Sequence, residues 1–136
     1  MSVDPTADLF KAVGDALLAD TFLANLVGTR VYSEWATKGD LPLIRMRIPN
    51  VDRFDDDCGD GAETEINVHL YTRGGPVQRS QMAERVRAVL HDSQLALDNA
   101  TVRNTDHVRT INLTDPSDPT VSSAVVRFTT ITIVEA

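Results

Sequence analysis

Leu43-Ile44-Arg45-Met46-Arg47-Ile48 sets Ile44, Met46 and Ile48 in strict alternation with Arg45 and Arg47. Successive side chains of a strand point to opposite faces, so this stretch reads as a strand with one buried side. A second run repeats the pattern, with Ile66, Val68 and Leu70 on one side and Glu65, Asn67, His69 and Tyr71 on the other. Between them lies an acidic, glycine-containing stretch with Asp52, Asp55, Asp56, Asp57, Asp60 and Glu63. The two runs predict a hairpin joined by a long, solvated, mobile loop. Pairing of the polar faces is expected to bring Arg45 and Arg47 near Glu63 and Glu65.

Upstream, Asp4 suits an N-cap and Pro5 a first helical position, with Asp8 adding negative charge near the helix start. Leu9, Phe10, Val13, Leu17 and Leu18 follow at helical spacing. Asp20 is placed to cap a second short helix carrying Phe22, Leu23 and Leu26, which Gly28 stops before the extended Arg30-Val31-Tyr32.

Downstream, Gly74-Gly75-Pro76 introduces a helix with Met82, Val86, Val89 and Leu90 on one face and Arg79, Glu84, Arg85 and Arg87 around the rest. Two further strands, Val102 to Leu113 and Val121 to Val134, are separated by Asp115-Pro116-Ser117-Asp118-Pro119. In the last of these Val126 and Phe128 share one phase and Ile131 and Ile133 the other. Either a bulge lies near Thr129 and Thr130 or both faces are buried there, and burial of both suits an oligomer. The expected fold is a single α+β domain over residues 1–136, with N-terminal helices and one long helix packed on a mixed or antiparallel sheet of about four to five strands.

Twenty acids against thirteen bases give a net charge of −7, the wrong sign for gripping phosphate unless a local basic patch outweighs the global field. No such patch is visible in the linear sequence. The lone Cys58 excludes an intramolecular disulfide and fits a reducing cytoplasm. Neither a leader-like start nor a membrane-length apolar run is present, so a soluble, unprocessed protein is expected.

No motif advertises chemistry. Setting Asp56 as the first position of a calcium loop puts Cys58 third and Asn67 twelfth, where a bidentate Glu is needed, so the acidic stretch is expected to bind no specific metal. His69, His91 and His107 have no spacing that pairs imidazoles and are expected at the surface, His91 favouring the end of its helix. Cys58 sits between acids, which disfavour a thiolate. No serine lies in a GxSxG elbow, and neither Gly59-Asp60-Gly61 nor Gly74-Gly75 belongs to a phosphate-binding loop. No catalytic, cofactor or metal residue is therefore expected, and no enzyme. Tyr32 with Trp35 reads as a core or contact anchor, and Arg79, Arg85 and Arg87 read as a solvated face able to meet an acidic neighbour.

The order of segments resembles the tail-completion, or tail-terminator, family of siphophage-like particles, which also occurs in prophages and gene-transfer agents. The most specific piece runs from Ala16 to Tyr32, where two small helices end in Gly28 and lead into Arg30-Val31-Tyr32. Leu41-Pro42-Leu43-Ile44, the Ile66 to Tyr71 strand before its Gly/Pro turn, and the helix Met82 to Leu90 are also similar. Leu95 to Ala100 lacks the glycine expected before the Val102 strand, and Asp115 to Pro119 is individual.

The resemblance implies a virion subunit that forms a hexameric ring on the head-proximal end of the tail tube. It would stop tube polymerisation, meet the head connector, and let DNA pass through without specific binding. A head-completion or neck protein is the alternative, and a small nucleic-acid-binding module a more distant one. An acidic chain fits a channel that does not retain DNA. Assembly in the bacterial cytoplasm is implied, with the tail tube protein and the connector as partners and no cofactor.

Overall fold

A computed structural model describes residues 4–33, 40–56, 59–98, 100–114 and 118–135. The elements are α1 (Thr6–Ala19), α2 (Thr21–Val27), β1 (Val31–Tyr32), β2 (Leu43–Asp56), β3 (Gly59–Thr72), α3 (Gly75–Leu90), β4 (Thr101–Thr114) and β5 (Ser122–Glu135). The sheet order is β1-β2-β3-β5-β4. β1 runs parallel to β2, and the other pairs are antiparallel. The fold is therefore α+β on a five-stranded mixed sheet.

Local chemistry places the helices. The Asp4 carboxylate accepts from the Thr6 backbone N–H at 2.9 Å and so satisfies a donor of the first turn of α1. The Asp20 carboxylate accepts from the Leu23 N–H at 3.1 Å and starts α2. Gly28, at φ 61°, ends α2 in a conformation that side chains disfavour. Arg30 then donates from Nη2 to the Leu26 carbonyl at 3.1 Å and from Nε to the Pro42 carbonyl at 3.0 Å, tying the end of α2 to the entry of β2.

Leu9, Val13 and Leu17 of α1, Leu23 and Val27 of α2, and Met82, Val86 and Leu90 of α3 are buried. They pack against Ile44, Met46, Ile66, Val68, Leu70, Val126 and Phe128 on one face of the sheet. Full burial of each such side chain contributes about 1.5–3 kcal/mol. α3 has 16 residues and α1 has 14, so two helices of similar length cover the sheet, where one long helix was expected.

The acidic segment departs from the expected loop. β2 and β3 each have 14 residues and stay paired as far as Asp56↔Gly59, so the acids through Asp56 and from Asp60 onward lie on strands. Their composition is poor for a strand. The ladder persists because β5 pairs with β3 along the whole length, from Gly59↔Glu135 to Thr72↔Ser122, and supplies the backbone partners that local propensity does not. Asp57 and Cys58 lie outside the described residues.

Register also corrects the expected charge pairing. Arg45 faces His69 and Arg47 faces Asn67, because the ladder shifts between Arg47 and Asn50. Two residues, Ile48 and Pro49, thus oppose one, Ile66, and Glu65 and Glu63 fall opposite Asn50 and Asp52. In β5 the pairing with β3 is unbroken, so no bulge lies at Thr129 and Thr130; the irregularities are in β4, at Val102/Asn104 and His107/Arg109. Phe128 faces the helices, whereas Ile133 is buried on the opposite face, so both faces carry buried apolar residues.

Candidate interaction surfaces

Tyr32 lies on β1, half-buried at the sheet edge and paired with Arg45. Trp35 lies outside the described residues. On α3, Arg85 pairs with Asp20 and Arg87 with Glu84, so both cations are engaged within the chain. These contacts hold the Asp20 and Glu84 carboxyls below the usual range, chiefly through the guanidinium hydrogen bonds. Arg79 is half-buried, and its Nε is enclosed without a hydrogen-bond partner among the described residues. The predicted arginine face is thus largely neutralised. Beside it, Phe22, Pro76, Val77, Ser80, Gln81, Glu84 and Arg85 line an open groove of about 570 Å³.

The three histidines are half-buried and structural, contrary to the expected surface positions. His107 meets the Phe128 ring edge to face at 5.6 Å, and burial lowers its pKa. His69 is pushed down to about 4 by burial, with Arg45 and Arg47 adding to the effect.

His91, Asp92 and Asp106 bring their ligand atoms within 4.8 Å of one another, a cluster hidden in the sequence because its parts are far apart. The His91 Nδ1 accepts from the His107 backbone N–H at 3.0 Å, and its Nε2 lies 3.3 Å from Asp92. A neutral ring so placed carries its proton on Nε2 and has no lone pair left for a cation. With the Asp92 N–H donating to the Thr105 carbonyl at 2.8 Å, the cluster clasps the end of α3 to β4.

The sheet face opposite the helices has an arrangement that no single strand discloses. Reading residues across β2, β3, β5 and β4, one row is Arg45–His69–Val125–Ile111 and the next is Arg47–Asn67–Arg127–Arg109. Beyond the bulge the rows become Asn50–Glu65–Thr129–Asp106 and Asp52–Glu63–Ile131–Asn104. The face is therefore basic on one side of the bulge and acidic on the other. Arg127 donates to Asn67 Oδ1 at 3.2 Å and lies 3.8 Å from Glu65. Arg45 donates to the Tyr71 hydroxyl at 3.0 Å. Arg47 and Arg109 are exposed and have no carboxylate partner among the described residues. No helix among these residues is long and apolar enough to cross a membrane.

The profile of the family described as Tail completion protein gp17 matches residues 11–133. The chain belongs to that family. It is accordingly a structural protein of a phage or phage-like tail. Among solved structures, a chain of the "Virion of native gene transfer agent (GTA) particle" aligns with a TM-score of 0.74 and 24% identity, covering 99% of this chain and 100% of its own. A second solved chain aligns with a TM-score of 0.55 and 15% identity over 96% of this chain and 93% of its own. At these identities the likeness establishes a shared fold. No curated protein matches. The tail-completion family thus has here a helix-covered sheet with an open, charge-divided face.

Proposed function

We propose that this chain is the tail terminator of its particle: a subunit of a hexameric ring that seats on the head-proximal end of the tail tube, ends tube polymerisation and presents a surface to the head connector. The observation that carries this reading is the state of the two sheet edges. β1 pairs only with Ile44 and Arg45, so most of the outer side of β2 has no partner strand among the described residues, and β4 forms the opposite edge, met by His91 and Asp92 at His107 and Thr105.

Long open edges invite pairing with another chain. Two different edges at opposite sides of one sheet favour a head-to-tail contact, which closes into a ring when the rotation permits. With helices on one face only, such a ring would turn the bulkier helix layer outward and the uncovered face toward the hole.

The test is native mass by light scattering over a wide concentration range. A sixfold mass supports the ring, and a stable dimer or tetramer refutes it. In particles, deletion should give tubes of abnormal length; finished tails beside unjoined heads would instead indicate a neck protein.

A further inference from the structure

We infer that the row Arg47–Arg127–Arg109 on the uncovered sheet face is a contact surface for the phosphate backbone of duplex DNA. The inference rests on the ring reading in one respect, that this face is turned toward the hole through which DNA would pass.

Neighbouring strands are about 4.8 Å apart, so the row spans roughly 14 Å from β2 to β4. Asn67 fills the intervening position and is held by Arg127. Guanidinium is a donor-only, permanently charged group suited to phosphate oxygens. Arg47 and Arg109 have no carboxylate partner among the described residues of a chain of charge −7, although acids are abundant on the same face. The proton affinity of His69, reduced chiefly by burial, is lowered further by the positive charges of Arg45 and Arg47.

The row thus reverses the sign of the global charge locally, which a phosphate contact requires. The acidic rows beyond the bulge limit it to one band and keep binding weak enough for DNA to move. They also make a face-to-face pair of two copies the competing use of this surface.

The experiment is a salt titration of the full chain against a fluorescent 30-base-pair duplex, with native mass measured on the same samples. Three phosphate contacts predict a fall in affinity of about 40-fold between 50 and 200 mM salt. Arg47→Gln with Arg109→Gln leaves one contact and predicts a fall of about 3-fold, with weaker binding at 50 mM. Arg79→Gln, on the helix side, should retain the 40-fold dependence.

Absence of wild-type binding at 50 mM salt, or the same salt dependence in the double variant, overturns the inference. So does a change in native mass in the double variant without a change in salt dependence, since the face then joins copies of the chain. A sixfold mass without row-dependent binding would remove this inference and leave the ring; row-dependent binding by a monomer would keep the contact and remove the ring. Unchanged far-ultraviolet dichroism establishes that each variant is folded.

Discussion

Removing the Asp20 carboxylate tests how the two N-terminal helices are held to α3. Asp20 has two roles: one oxygen accepts from the Leu23 N–H at 3.1 Å, and the carboxylate pairs with Arg85. Its side chain is 8% exposed, whereas that of Arg85 is 46% exposed. Loss of a cap costs about 0.5–2 kcal/mol. Solvent screening at Arg85 limits the ion pair to about 0.2–1 kcal/mol. Asp20→Ala should therefore lose about 1–3 kcal/mol at pH 7, and Arg85→Ala less than 1 kcal/mol. Asp20→Asn keeps an acceptor for Leu23 and should fall between them.

Urea melts of these three variants and of the Asp20→Ala, Arg85→Ala double variant measure each loss and the coupling between them. The Asp20 pKa is lowered in the fold, mainly by its hydrogen bond from Arg85. The associated stability is present above the unfolded carboxyl value and disappears as pH falls through the folded one. The deficit of Asp20→Ala should thus shrink below about pH 4. An Arg85→Ala loss equal to or larger than that of Asp20→Ala would refute the division between cap and ion pair.

Other predictions follow from buried or charged positions. Phe128→Ala, at a fully buried site against His107, should cost about 3–5 kcal/mol in the same melts. His69 is neutral in the fold down to about pH 4, so the stability tied to it is complete above the ordinary histidine value and is lost as pH falls from there to about 4. His69→Gln should flatten that part of the stability profile by roughly 1–2 kcal/mol after allowance for screening. Asp52 lies directly opposite Glu63, so Asp52→Lys should stabilise the hairpin by about 0.2–1 kcal/mol in thermal unfolding.

The helices and the buried faces of the strands were legible because their information is local. Leu9, Val13 and Leu17 recur at helical spacing, and Ile66, Val68 and Leu70 at strand spacing; each set is buried in the fold. The acidic segment misleads for the same reason. Asp52, Asp60 and Glu63 argue locally for a solvated loop, but β5, about seventy residues later, pairs along it and holds it extended. The clasp at His91 was equally hidden, since its acceptor role needs the His107 backbone from β4.

The charge division of the open face is the strongest case of this limit. Arg47, Arg127 and Arg109 come from three strands, and their alignment depends on the pairing of each strand with its neighbour. It also depends on the bulge at Ile48 and Pro49. Without it, Asn50 would move from opposite Glu65 to opposite Thr64, on the helix side, and Asp52 would leave the open face as well. One inserted residue in β2 thus keeps the acids of the hairpin on the same face as the arginine row while Ile44 and Met46 stay in the core. Deleting Pro49 removes the extra residue itself, so Ile48 alone should oppose Ile66 while Asn50 stays opposite Glu65 and the acids stay on the open face. A cooperative transition close to that of the wild type would be the expected result; its loss would mean that the bulge does more than absorb one extra residue.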